Sequence, residues 1–287
     1  YGMSGWRIDV GNMTGRLGED DLHDEVMRGI RSAMDEVKPD AWLVAENGDF
    51  VASDLDGFGW HGAMNYQGFM RPLWNWINQN SSIGGGFQGL PFEMPKIGGK
   101  SLVASMVQFS SSIPWRSLVA SMVLLDSHDT ARMRTVVSGD RKAHLSAMTA
   151  MLTYPGVPSI FAGDEIGLEG SWGEDSRRTI NWEDRSGWDH DFLAEAKKLI
   201  ELRRTQDGLI EGGLRWVAVE DNFICYLRES NKQSVLVFIS RKAVRTEIDL
   251  AGYGLKVVKT LYGPDATGAS IKIDSDGATQ GIWEVKS

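Results

Sequence analysis

The apolar positions of this chain follow two rhythms, and the change from one to the other falls near Gly208. Upstream, short strand-like runs alternate with helical spacing. Trp6, Ile8 and Val10 form the apolar side of a strand over 5–10, with Arg7 and Asp9 on its other face. Leu22, Val26, Ile30, Ala33 and Val37 then recur at helical spacing, with acidic residues in the first turn and Pro39 beyond the end. The run 41–46 reads as the next buried strand. Strand, helix, strand is the unit of a parallel sheet, whose strands are apolar on both faces. A weaker strand is expected around 62–66, helices near 69–79, 143–153 and 191–205, and a strand over 159–162.

Asn80 to Gly99 is rich in Gly, Ser and Pro and reads as loop, with Gly84-Gly85-Gly86 a flexible turn. The heptapeptide Ser-Leu-Val-Ala-Ser-Met-Val occurs twice, at 101–107 and 117–123. Beyond Gly208 the texture becomes short alternating runs separated by turns: 214–219, 223–229, 234–240, 245–249, 256–262, 271–273 and 282–285. Strands at that spacing without helices predict a small antiparallel sandwich.

A chain of 287 residues suffices for one large domain and a small one, predicted at 1–207 and 208–287. A net charge of -9 with interspersed acids and bases argues against nucleic acid and against an anionic membrane surface as partners. No apolar run is long enough to cross a membrane. Cys225 is the only cysteine and lies in a strand pattern, so a buried inert thiol is expected. The lone cysteine and the absence of a leader-like start favour the cytoplasm. The chain has eleven tryptophans, and indole faces stack well on the C–H faces of sugars. No Cys/His cluster suggests zinc and no loop suggests phosphate binding.

Three apolar runs end on acids: Asp9 after Gly5-Trp6-Arg7-Ile8, Glu46 after Trp42-Leu43-Val44-Ala45, and Asp129 after Leu124-Leu125-Asp126-Ser127-His128. Carboxyls at the C-terminal tips of separate strands are how a (β/α)-barrel builds a glycosidase site. At these residues the chain resembles the α-amylase superfamily, glycoside hydrolase family 13. The stretches Leu124–Thr130, Met64-Asn65-Tyr66, and Gly163-Asp164-Glu165-Ile166-Gly167 ahead of Arg177-Arg178 are similar to its cyclomaltodextrinase, neopullulanase and maltogenic amylase branch. The ordered series is far more specific than any one motif, and it covers nearly the whole chain, most loosely after about Gly208.

The resemblance implies an α/β fold: the C-terminal part of a (β/α)8 TIM barrel, strands 4–8, then a small antiparallel β-sandwich. It makes Asp9 the nucleophile of a retaining enzyme, which a neighbouring Arg7 would keep ionised and oriented. Glu46 becomes the acid/base, and Asp129 with His128 would bond ring hydroxyls of the sugar. Asn12 and Met13 would line the leaving-group side, and Arg177 and Arg178 the sugar-binding rim. Trp60, His61 and Tyr66 are candidates for stacking or rim contacts, and Glu165 for a structural role. Asn47-Gly48-Asp49 departs from the hydrophobic and aromatic residues that usually follow the acid/base in this family.

The implied activity is hydrolysis or transglycosylation of α-1,4 bonds, with α-1,6 bonds a further option, in α-glucan oligosaccharides such as maltodextrins or cyclodextrins. No cofactor is implied, and a structural calcium is compatible with the resemblance. By the same analogy the first heptapeptide copy closes a helix and the second leads into a strand; a sequence duplication is the other explanation. The nucleophile lies nine residues from the start, where the family has three barrel strands first. The expectation is therefore a C-terminal half that needs its N-terminal half, or a second copy, for stability and activity. The alternative is a catalytically incomplete, amylase-like scaffold that binds glycans.

Overall fold

The computed structural model describes residues 2–78, 94–171 and 173–287. The predicted loop from Asn80 and the glycine turn at 84–86 lie outside the described residues as far as residue 93. The chain forms two compact units: one of Tyr1–Pro72, Ala104–Leu124 and Gly156–Ser159, the other of Leu73–Val103, Leu125–Pro155 and Ile160–Ser287.

In the first unit β1 (Gly5–Ile8) and β2 (Trp42–Ala45) pair in parallel, with Arg7 opposite Val44 and Ile8 opposite Ala45. Helix α1 (His23–Val37) connects them, one residue inside the predicted start. β3 (Gly62–Ala63) adds to β2 in parallel. A parallel bridge from Met64 to Met122 then leads to β4 (Met122–Leu124), which pairs in parallel with β5 (Val157–Ser159). Met27, Leu43, Ala45, Leu55, Trp60 and Phe109 are among the core side chains of this unit.

Three departures from the sequence pattern have local causes. The first strand stops at Ile8 because Val10 takes a left-handed backbone, φ 44°, and turns the chain into a short helical turn over Gly11–Met13. The strand expected over 62–66 is cut short by a π-helical turn, Tyr66–Met70, whose Gly68 N–H is capped by Asn65 Oδ1 at 2.8 Å. The last strand precedes its predicted place because Gly156, φ 132°, delivers the chain straight into pairing with β4. A Cβ at Gly156 would sit 2.3 Å from the Val123 side chain, so only glycine fits this approach.

The repeated heptapeptide takes two structures. The first copy lies wholly inside a helix, Gly99–Ser111. The second gives its first four residues to the helix Trp115–Ala120 and its last two to β4. Between them Ser121 is extended, its hydroxyl donating to the Ser117 carbonyl at 2.7 Å and accepting from the Ala63 N–H at 3.2 Å. Strand pairing thus overrides the preference of an identical segment.

The second unit contains α2 (Arg141–Thr153), capped by Asp140 on the Lys142 and Ala143 N–H groups, and α3 (His190–Thr205), capped by Asp189 on Phe192. The predicted short strands follow: β6 (Gly213–Glu220), β7 (Phe223–Glu229), β8 (Ser234–Ser240), β9 (Val244–Asp249), β10 (Lys256–Tyr262), β11 (Ser270–Ser275) and β12 (Gln280–Lys286). They form an antiparallel sheet ordered β10-β12-β8-β7-β6 and a pair β9-β11. Both sheets share a core of Cys225, Leu227, Leu236, Phe238, Ile248, Ile271, Ile273 and Trp283. Burial pushes the Cys225 thiol far up, as an inert packing role requires. No helix among the described residues is long and apolar enough to cross a membrane.

Arg228 ties β7 to the end of α2. Fully buried, it donates to the Thr153 carbonyl and to the Gly212 and Gly213 carbonyls at 2.8–3.2 Å. Burial, and then Arg203, lower its pKa to about 10. Arg228→Met keeps much of the volume but strips the carbonyls of their donor, and should cost about 2 kcal/mol, read from the urea midpoint; a variant as stable as the parent would refute this. Val10→Gly should do the opposite. Relief of about 1–2 kcal/mol of left-handed strain at a half-exposed valine outweighs the extra unfolded-state freedom of glycine, so the melting temperature should rise.

Candidate active site

Because β1 and β2 run parallel and in register, the residues beyond their C-terminal ends emerge side by side. The Glu46 N–H donates to the Ile8 carbonyl at 2.8 Å, and the Gly11 N–H to the Glu46 carbonyl at 2.7 Å. Gly11 is required here, since a Cβ would lie 2.7 Å from that of Ala45. The Arg7 guanidinium then joins both acids: one Nη donates to Asp9 Oδ1, the other to Glu46 Oε1 at 2.9 Å. The second Glu46 oxygen accepts from the Val10 N–H at 2.8 Å. The two carboxyls are therefore separated by no more than one guanidinium and its hydrogen bonds. Their surroundings differ, the Asp9 side chain being 78% exposed and that of Glu46 20%. One is open to an incoming ligand, and the other is sheltered and held.

Asn12 and Met13 stand next in the turn after Val10; Met13 is exposed, and the Asn12 carbonyl accepts from Arg16. Asn47, where the family pattern is broken, is buried. Its Oδ1 accepts from the Asp49 N–H at 2.9 Å and its amide reaches Asp54 Oδ2 at 3.4 Å. Arg71 holds the Gly48 carbonyl at 2.7 Å. Buried His23 contacts the Thr14 carbonyl through Nδ1 at 2.7 Å, with Nε2 3.5 Å from Asp54 Oδ2. His23, Asn47 and Asp54 thus lash the loop after Asp9 to the loop after Glu46. Sequence reasoning passed over His23 and Asp54, which carry no spacing signal.

The aromatic candidates around residue 60 resolve differently. Trp60 and Tyr66 are buried in the fold and unavailable for stacking on a sugar. His61 Nδ1 accepts from the Leu43 N–H at 3.0 Å, while burial and the Arg31 charge push its pKa down. Its work is strand pairing. The residues the sequence grouped as rim contacts here belong to the packing of the first unit.

In the second unit a separate cluster gathers the remaining expected residues. Arg177 donates to Asp129 Oδ1 at 3.0 Å and to the His128 carbonyl at 2.9 Å. His128 Nε2 lies 3.3 Å from Asp129 Oδ2. Both residues are partly exposed. Arg178 is not part of this cluster. It grips Asp175 with contacts of 2.8–3.0 Å, and Asp175 is held down at about 2 chiefly by the Ser171 hydroxyl and N–H, then by Arg178. Glu165 accepts from the Gly163 N–H at 2.8 Å, the structural role expected of it. Among the described residues no three His, Cys, Asp or Glu side chains are grouped to hold a metal ion.

Comparison with known proteins matches the catalytic domain of alpha-amylase to residues 1–191. A cyclomaltodextrinase of Bacillus sp is 28% identical over 273 residues, 94% of this chain and 43% of that protein. The intracellular maltogenic amylase of Bacillus subtilis is 28% identical over 253 residues, 87% of this chain and 39% of that one. Among solved structures, the debranching enzyme of Nostoc punctiforme superposes with a TM-score of 0.84 at 24% identity, over 99% of this chain and 58% of that one. The chain spans less than half the length of the two curated relatives. With most of its length inside the domain match and its strand-end acids in the expected order, the chain belongs to the alpha-amylase family.

Proposed function

We propose that the protein is a retaining α-glucan hydrolase or transglycosylase, acting on α-1,4 glucosidic bonds of maltodextrins or cyclodextrins, with α-1,6 bonds a further option. The observation that carries this reading is the Arg7 guanidinium bound to Asp9 and Glu46 together. In the first step Glu46 gives a proton to the glycosidic oxygen while an Asp9 oxygen attacks the anomeric carbon. The leaving sugar departs with that proton, and a glucosyl–Asp9 ester remains. In the second step the Glu46 carboxylate takes a proton from water or a sugar hydroxyl. That oxygen attacks the same carbon and expels Asp9, so configuration is retained. Arg7 holds the Asp9 carboxyl in place for attack. To act as donor, Glu46 must give up an acceptor role toward Arg7 or Val10, which an incoming ligand can prompt by displacing those bonds.

Asp129 and His128 would bond hydroxyls of the ring under attack, with Arg177 holding Asp129 from behind; such bonds favour the flattened transition state. Asn12 and Met13 would line the leaving-group side. The names of the cyclomaltodextrinase and intracellular maltogenic amylase relatives support the substrate class, and the latter supports a cytoplasmic place. In this reading the five parallel segments β1–β5 are strands 4–8 of a (β/α)8 barrel, and the sheets from Gly213 onward are the C-terminal β-domain. β1 stands at the edge of its described sheet, beside a groove of about 710 Å³ lined by Trp6, Ile8, Ile30, Met34 and Val37. A preceding barrel strand and helix would suit that edge and groove, which supports an N-terminal half as partner.

The test incubates the protein with maltoheptaose and β-cyclodextrin, with and without a supplied N-terminal half of an alpha-amylase domain. Cleavage is expected with the anomeric configuration retained, and Asp9→Asn should lower kcat by about a thousandfold or more. Turnover that survives Asp9→Asn, or an inverted product, would defeat the proposal; tight sugar binding without turnover in either arm would favour the scaffold instead.

A further inference from the structure

Beneath the His128–Asp129–Arg177 cluster lies a buried polar triad for which the sugar chemistry has no use. Asp126, Arg132 and Asp164 are 2%, 1% and 2% exposed. Arg132 spreads its fork over three partners: Asp164 Oδ1 at 2.7 Å, the Ala162 carbonyl at 3.0 Å and the Ser176 carbonyl at 2.8 Å. Its guanidinium lies 4.0 Å from the centre of the Phe161 ring, and its own N–H donates to the Gly170 carbonyl at 2.9 Å. Arg132 thereby fixes the turn that presents Arg177. Ser176 adds a hydroxyl bond to the His128 carbonyl at 3.4 Å.

Asp126 governs the other segment. Its Oδ2 accepts from the Met133 N–H at 2.6 Å, so it spans the turn that holds His128 and Asp129. That turn closes on itself, the Ser127 N–H donating to Thr130 Oγ1 at 2.9 Å and the Asp129 N–H to Ser127 Oγ at 3.2 Å. Asp126 and Asp164 are both buried, and burial and the Asp126 charge favour a proton on Asp164. Asp126 Oδ1 is buried without a hydrogen-bond partner. Burial, then the Asp126 charge, push Asp164 well above the usual carboxylate range against the pull of Arg132. With one proton the triad is neutral overall, the state a dry interior tolerates.

We infer that Asp126, Arg132 and Asp164 are positioning residues: a buried polar clamp that fixes the turn carrying His128 and Asp129 to the turn carrying Arg177, so that the three form one sugar-binding edge. The sugar half of this statement rests on the proposed reading of Asp129; the mechanical half does not. The groups that face Asp164 directly are Asp126 and Arg132. On the flanking segments Glu165 is engaged by the Gly163 N–H and Arg134 by Asp189 at 3.1 Å. Loss of the Asp164 proton would leave two carboxylates against one guanidinium.

The direction with pH follows from linkage. Asp164 is raised, so between the ordinary carboxylate pKa and its own the folded chain holds a proton that the unfolded chain lacks. Stability therefore falls as pH rises through that window. Asp164→Asn donates and accepts at the same positions without a proton to lose, and should abolish this slope. Asp164→Leu strips Arg132 of its carboxylate partner.

The experiment compares the parent, Asp164→Asn and Asp164→Leu by amide hydrogen exchange over 127–133 and 173–177, and by kcat and KM for maltoheptaose across pH. In the leucine variant both segments should exchange about tenfold faster than the parent, beyond any change elsewhere. Its KM should rise about tenfold with a smaller change in kcat, since the residues it disorders bind sugar. The asparagine variant should restore both readouts and lose the parent's alkaline rise in exchange. Exchange in 127–133 and 173–177 that matches the parent, or that rises only as much as the rest of the chain, overturns the clamp. Should the leucine variant fail to fold, an asparagine variant with the parent's alkaline exchange profile overturns it equally. If the parent supplied with the N-terminal half does not turn over maltoheptaose, that counts against the glycosidase reading alone, and the exchange arm still decides the clamp.

Discussion

A single guanidinium shared by two carboxyls is the constraint on which the candidate chemistry depends. Arg7 bonds Asp9 just beyond the end of its own strand and Glu46 beyond the neighbouring one. It can do so only because β1 and β2 are parallel and aligned without slip, Ile8 facing Ala45. A slip of one residue would send either Asp9 or Glu46 to the opposite face of the sheet. The register is in turn fixed by burial of Leu43 and Ala45 on the side of α1 and by the main-chain bonds that flank Gly11 and Glu46. The chemistry is thus a consequence of core packing one layer below it. Asp9 could remain largely exposed because its position is set by strand register and Arg7, with no enclosing pocket needed.

The strand-end acids were legible in the sequence because they combine two signals that are strong together: an apolar run, which fixes a strand, and a carboxyl at its end, which has no packing reason to be there. Helices with an apolar stripe and an identifiable stop, such as His23–Val37, were legible for the same reason, and so were the alternating strands after Gly213. The strand ends were less so. Val10 reads as a strand residue by every propensity, yet it turns left-handed to bring its N–H onto Glu46. Nothing about an isolated valine announces that. Gly156 carries the opposite lesson, since its small size permits the close approach that starts β5 three residues before Ile160.

What the pattern could not reveal were side chains whose role depends on a distant partner. Trp60 and Tyr66 look like sugar platforms by composition, but their rings fill the first unit's interior. Arg177 and Arg178 are adjacent and chemically identical, and the fold still gives them different employment: one to Asp129, the other to Asp175. His23, Asp54, Arg132 and Asp164 are ordinary polar residues in sequence, distinguished only by burial. A buried polar group must find its complement. Each of these marks a place where segments remote in sequence are pinned together, and sequence spacing is silent about such pairs.

Asn47 shows how one substitution can redirect a loop without disturbing the acid beside it. An apolar residue at this buried position could neither accept from the Asp49 N–H nor meet Asp54. Asparagine instead turns inward, where Asp54 and the Asp49 N–H satisfy its amide, and Gly48 contributes no side chain at all. Glu46 keeps its place because its bonds to Arg7, Val10 and the Ile8 and Gly11 main chain do not involve residue 47. The consequence is a division of labour: the position of the acid is set by strand pairing, while the shape next to it is set by a loop free to vary.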